Sequence, residues 1–492
     1  MLSTDRYMSR FLLVSLNIDA ILQEPTIHRR RQKLNAMTNG LGLGDAYGAT
    51  LGRIKDQGGE KARLGIAALM WVSHAERPLK PDELCNALAV EIWSPNLNRD
   101  NVPSIGTLLG CCQGLIVIGK ETSTVRLIHF TLQEYLRAHP QLFRTAHSIM
   151  AETCLSYLNS PQVKAFSTTP SPDLQSTPFL DYSSLYWGIH AKRDLSHGAK
   201  LLALKLFDDY NSHISIKILL NAQGCYSPEL DPGKTSQFSG LHCASLLGIN
   251  KIVAGLVEAE GCHINQKDCF GYAPLHWAAR EGREGVVKIL LARDDIDSDI
   301  RGVGGRTPLG CAASHGHEGV VKILLERNDV NPQSRAIFGE TPLYLAAKEG
   351  HEGVVKILLG RREVDPNTLG FMGRTPLCEA VNRGFRGVVE ILLERDDVNP
   401  NKRDNIGDTP LSRAIFQRQA DLVALLQPLA STTPSTTPFT LSNYRYNSPH
   451  TTSPRTTPAA QTRPPRSLPL SPHSRTVSSR ISKRGPRYFP RE

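Results

Sequence analysis

His317-Glu318 and His351-Glu352 open like the zinc-protease motif H-E-x-x-H, in which two histidines four residues apart hold a metal beside a glutamate base. The second histidine position is Val321 in one copy and Val355 in the other, so neither pair can form. Gly233-Lys234-Thr235 has the form of the end of a phosphate-binding loop, but the first glycine of G-x-x-x-x-G-K-T falls on Pro228. Such a loop wraps backbone amides around phosphate, and proline lacks both the freedom and the donor. No Gly-x-Ser-x-Gly elbow occurs, and the ten cysteines contain no C-x-x-C pair. These residues predict no catalytic centre, no metal, no cofactor and no small-molecule substrate. The histidines, with His242 and His276, are expected to hydrogen-bond between adjacent segments.

What positions those histidines is a repeat. Leu241, Leu275, Leu309, Leu343, Leu377 and Leu411 recur every 34 residues without a slip. A fixed period of this size marks a stack of small units rather than one enzyme core. In the unit from Gly339 to Leu359, Thr341 is placed to cap a first helix and Pro342 suits its first position. Leu343, Ala346 and Ala347 give a narrow inward face, and Gly350 permits the reversal. Val354, Val355, Leu358 and Leu359 form the apolar stripe of a second helix. Helices this short are marginal alone, so stability must come from stacking.

The pattern Gly-x-Thr-Pro-Leu-x-x-Ala-Ala-x-x-Gly-His resembles the ankyrin repeat over residues 239–428. The resemblance implies antiparallel helix pairs with a projecting hairpin, and a concave surface that binds a protein partner. The period of 34 exceeds the usual 33, and the segment Glu394 to Pro400 lacks the usual helix-ending glycine; the extra length is expected in the hairpin. The first repeat has Ser239-Gly240 in place of Thr-Pro, and the last has Gln417-Arg418-Gln419 where Gly-His-Glu stood, as end caps would. Hairpin tips are expected at Phe270 and Tyr272, Val303, Ile337 and Phe338, Phe371 and Met372, and Ile406. Arg280-Glu281, Lys348-Glu349 and Asn382-Arg383 should face outward from the first helices. An apolar ladder with a polar border is the expected partner surface.

Upstream, Arg10 to Leu22, Leu41 to Tyr47 and Leu51 to Ile54 resemble the end of a fungal-type NACHT nucleotide-binding module. Leu69-Met70-Trp71-Val72, Arg77 to Leu84 and Val125 to Leu136 are similar to the winged-helix domain that follows it, the GPI inositol-deacylase type. In its own terms this stretch reads helix, helix, strand (115–118), strand (125–128), helix. The resemblance implies that the family's nucleotide loop lies upstream of Met1, leaving the C-terminal part of a larger signalling switch. Residues 61–150 hold nine basic and seven acidic groups, without the basic footprint that duplex binding demands. His129 sits where such a domain can sense nucleotide, and a structural role is expected for it here. Trp187 is expected to be a core anchor.

The net charge of +10 is concentrated at one end: residues 431–492 carry ten Lys/Arg and one acid, leaving the rest near neutral. With eleven prolines and few aliphatics this tail is expected to be disordered, with Ser/Thr-Pro phosphorylation sites, an SH3-type ligand at Arg463 to Pro472 and weak nucleic-acid attraction. No apolar run approaches ~18 residues, so no membrane span is expected. The scattered cysteines favour a reducing, intracellular setting, cytoplasmic or nuclear. The reading is therefore mainly α: a NACHT-end segment (1–60), a winged-helix-like domain (61–150), a helical connector (151–225), a six-repeat α-solenoid (226–430) and the tail (431–492).

Overall fold

The computed structural model describes residues 24–32, 43–168, 177–208, 210–224 and 237–430. The segment 10–22, Gly233-Lys234-Thr235 and the tail features fall outside the described residues. Among those described, no helix is long and apolar enough to cross a membrane.

The first block is built on helices Leu43–Asp56, Gly59–His74, Pro81–Ala89 and Ile105–Cys111, then strands β1 (Ile116–Ile118) and β2 (Val125–Leu127), then helix Phe130–Ala138. The strands pair antiparallel, Ile116 opposite Leu127, and Leu79 bridges to Val125 as a minimal third strand. This is the expected order with one addition, the helix Ile105–Cys111. Two glycines and a threonine in seven residues hide it, because each weakens intrinsic helix preference; Ser104 holds its start by accepting from the Thr107 amide at 3.1 Å.

The connector helices Ala146–Leu158, Leu180–Arg193, His197–Phe207 and Ile214–Ala222 share one core with this block. Trp71 meets Phe179 and Tyr182 edge-on at 5.5 and 5.8 Å, and Trp187 is fully buried against Phe207. The junction with the repeats leaves no gap. A Cβ on Gly188 would lie 2.8 Å from Leu247, and one on Gly240 would lie 2.4 Å from Phe207.

Six helix pairs follow, from Gly240–Leu247 with Asn250–Val257 to Pro410–Phe416 with Ala420–Ala430. In repeats three to six the threonine of Thr-Pro caps the inner helix: Thr307, Thr341, Thr375 and Thr409 accept from the amides of Gly310, Tyr344, Cys378 and Ser412 at 3.1–3.3 Å. Thr341 is fully buried, so Thr341→Ala should cost about 1 kcal/mol, read as a lower urea midpoint. An unchanged midpoint would mean the cap contributes nothing. Leu343, Ala346, Ala347, Val355 and Leu358 are all completely buried, so the narrow inner and apolar outer faces meet as the stacking argument requires.

The glycine after the inner helix serves the next repeat. Gly316 is left-handed (φ +76°), and a Cβ there would come 2.6 Å from the His351 ring; Gly350 (φ +83°) is likewise covered by Phe385 at 2.8 Å. The ring that opens the next repeat's outer helix thus packs against bare backbone. His317 and His351 complete the joint through Nε2, at 2.7 Å from the Arg280 carbonyl and 3.1 Å from the Ser314 carbonyl.

Four of the outer helices are closed by a device that the sequence alone does not reveal, including Glu352–Leu359, the one whose C-cap, Gly360, is a glycine. Arg293, Arg327 and Arg395 each pair with the aspartate two residues on, and each also donates to a carbonyl closing the previous outer helix (Val257, Leu291 and Leu359, at 2.9–3.3 Å). Arg361 makes the same reach to Leu325. Cationic groups at a helix C-terminus satisfy orphan carbonyls and suit the helix dipole.

Candidate partner-binding surface

Each hairpin is closed by a pair of backbone bonds, such as Gly302 N to Arg306 O at 2.8 Å with Gly305 N to Gly302 O at 3.0 Å, and Ala336 N to Glu340 O with Gly339 N to Ala336 O, both at 2.9 Å. Neighbouring tips are also tied: Ile337 N donates to Gly304 O at 2.8 Å and Asn405 N to Met372 O at 3.0 Å. On this backbone the apolar residues Val303, Ile337, Phe338, Phe371, Met372 and Ile406 are exposed. Phe338, 63% exposed, meets Phe371, 46% exposed, edge-to-face at 5.6 Å. Met372 is left-handed (φ +59°), a conformation that costs a non-glycine residue of order 1 kcal/mol and is retained mostly where function or packing demands it. Each of the four hairpins of repeats three to six therefore presents at least one exposed apolar residue at its tip.

Phe270 and Tyr272 do not extend it. Both are half-buried, edge-on to Trp277 at 6.5 and 5.6 Å, and Tyr272 is covered by Gly302, whose Cβ would lie 2.6 Å away. Trp277 occupies a position that is Cys311, Leu345, Glu379 or Arg413 in later repeats, and it draws both rings inward.

The polar border divides in the same way. Arg280 lies over Trp277 at 5.4 Å and donates to the Gln223 carbonyl, and Glu281 is half-buried beside it, its carboxyl raised by burial. Arg280 thus belongs to the joint with the connector instead of facing outward, and Glu281 pairs with it at 3.8 Å. Lys348 pairs with the buried Glu340 at 3.2 Å, and Asn382 accepts from Arg413 and Gln417 of the next repeat at 3.4 and 3.1 Å. Glu349 and Arg383 are exposed, Arg383 holding Glu379 at 3.0 Å. Beneath them is a charge network missed in the sequence: Arg374 between Glu379 (3.0 Å) and Asp404 (3.6 Å), and Arg413 between Asp404 and Asp408 (2.8 Å each). Its members lie up to 39 residues apart, so only the stacking register brings them together.

Capped helix pairs, an unbroken 34-residue stack and hairpins projecting from one edge coincide with four overlapping matches to the family described as ankyrin repeats, at residues 208–301, 241–335, 275–370 and 343–434. These are ankyrin repeats. Residues 55–145 match the GPI inositol-deacylase winged helix domain, the block whose helices and two-stranded wing precede the ankyrin array. In that domain His129 caps helix Phe130–Ala138, with Nδ1 at 2.9 Å from Thr131 Oγ1, and Thr131 in turn bonds Tyr47. It is tied into the packing of the domain. No curated protein matches the chain. Ankyrin repeats are protein-interaction modules, so the array supports a protein partner.

Proposed function

We propose that the chain is a non-enzymatic adaptor whose protein partner docks along the hairpin tips of repeats three to six. The observation that carries this is the set of exposed apolar residues Val303, Ile337, Phe338, Phe371, Met372 and Ile406, held in register by tip-to-tip backbone bonds. The exposed Glu349 and Arg383, at the ends of two inner helices, would supply part of the polar rim that surrounds an interface core. Phe338 and Phe371 are the expected anchors, since aromatic residues dominate binding energy.

The test uses the full chain as bait against a partner captured with it. Phe338→Ala with Phe371→Ala should weaken binding at least tenfold, because hot-spot truncations cost 2 kcal/mol or more. The exposed positions should leave the melting temperature within a few degrees. Undiminished binding would reject the tips as the contact surface.

The winged-helix match favours a second reading, in which the chain acts as the sensor half of a NACHT-type signalling NTPase of fungal immunity or incompatibility. A transcript carrying an in-frame phosphate-loop motif ahead of Met1 would support it, and a stop codon immediately upstream would reject it.

A further inference from the structure

Three elements converge where the winged-helix domain meets the connector. Glu76 follows the end of helix Gly59–His74, His147 lies in the first turn of Ala146–Leu158, and His190 lies in the last turn of Leu180–Arg193. His147 Nδ1 is 2.9 Å from His190 Nδ1, and His190 Nδ1 is 4.0 Å from Glu76 Oε1. All three ligand atoms lie within 4.8 Å of one another. Zinc–nitrogen bonds of about 2.0–2.1 Å at tetrahedral angles place ligand atoms about 3.3 Å apart, between the two observed spacings.

We propose that Glu76, His147 and His190 bind one divalent first-row transition ion of the zinc class. Two imidazoles and one carboxylate suit zinc or its neighbours better than magnesium or calcium, which prefer an all-oxygen shell. The second shell is built. His190 is completely buried, and its Nε2 lies 2.9 Å from Tyr182 Oη, which also receives the Glu76 amide at 3.1 Å. In the metal-bound form Nε2–H would donate to Tyr182 Oη, leaving the Nδ1 lone pair for the ion. Second-shell partners of this type set the tautomer and orientation of a metal-ligating histidine.

Access and a fourth position are provided by a cleft of about 310 Å³ lined by Ser73, His74, Glu76, Gln133, His147 and Arg193. Three protein ligands beside an open cleft leave room for a water ligand. Arg193 holds the Glu76 carboxylate, at 2.5 and 3.3 Å, where the ion would sit. Its side chain is 42% exposed and lines the open side, so it can swing into solvent as the ion enters. The ion would then join one domain's exit to two connector helices.

The full chain, stripped with EDTA and dialysed, is titrated with Zn(II) against a chromophoric chelator and with Co(II) by absorption. One zinc per chain is expected, with a Co(II) spectrum lacking a sulfur-to-cobalt charge-transfer band. Glu76→Gln and His147→Gln, both at half-buried positions, should weaken binding at least 100-fold. Tyr182→Phe, which removes only the hydroxyl, should weaken it by about tenfold. No zinc binding, undiminished affinity in Glu76→Gln and His147→Gln, or a thiolate band showing that the ten cysteines carry the metal, would each overturn the site.

Discussion

Trp277→Ala is expected to destabilise the array by about 3–5 kcal/mol, the range for removing a large buried aromatic. The indole is almost fully enclosed, with Phe238 edge-on at 5.8 Å, Phe270 and Tyr272 on other sides, and Arg280 over its face. Its N–H donates to Asp268 Oδ2 at 2.7 Å, while Asp268 Oδ1 accepts the Phe270 and Tyr272 amides at 2.9 Å each. Truncation therefore opens a cavity and strips a partner from a buried carboxylate, two separate costs. Trp277→Phe keeps most of the volume and isolates the second cost, at about 1–3 kcal/mol. Urea unfolding followed by far-UV circular dichroism ranks the three chains. A midpoint for Trp277→Ala no lower than that of Thr341→Ala would contradict the anchoring role. Midpoints are the safer measure, since repeat arrays need not unfold in one step.

Acid should destabilise the repeats as the pH falls below about 6.5. His242 and His276 are each pushed down to about 4, chiefly by burial; their Nε2 atoms lie near the carbonyls of Gln266 and Arg306, at 3.0 and 3.1 Å. Each folded value lies below the ordinary 6.5, so the folded state binds fewer protons there. Stability is whole above about pH 6.5 and is lost as the pH falls toward 4. By pH 5 each histidine should remove ~2 kcal/mol. Asp268 works the other way: burial raises its carboxyl to about 6, so it returns ~1 kcal/mol over the same interval. The net expectation is a melting temperature that drops between pH 7 and pH 5. His242→Gln with His276→Gln should drop distinctly less. An equal drop in both chains would assign the acid sensitivity to other groups.

Both experiments probe parts of the array that differ in how plainly they are written in the chain. The marker leucines and Thr-Pro pairs identify the inner helices because caps and stacking faces are local and recur at a fixed spacing. The histidines were readable as joints for the same reason. Phe270 holds the register position that exposes Phe338, Tyr272 that of Glu340, and what both rings pack against is a single tryptophan in the following helix, a departure from the period rather than part of it. The arginine after each of the second to fifth outer helices resembles an ordinary solvated charge beside an acidic residue, since the carbonyl it reaches lies 36 residues earlier. Glu76, His147 and His190 span 114 residues on three elements, so no spacing rule could assemble them. Period-bound features were legible, and long-range polar pairings were not.

Those arginines also give the stack a direction. Each one closes the helix before it, so a repeat lends support backwards along the chain and takes it from the repeat ahead. The series stops at helix Arg386–Leu393, because the register position that would close it, 34 residues after Arg395, is Leu429. At the other end, Gly240 and Leu247 are seated against Phe207 and Gly188 of the connector. One end is thus moored, and among the described residues the other margin has no such arginine. Thermal or mechanical peeling should begin at the sixth repeat and travel toward the first, with every detached unit unfastening its predecessor. A partner spanning the tips of repeats three to six would cover that margin, and so would act as a brake on unravelling as well as a ligand.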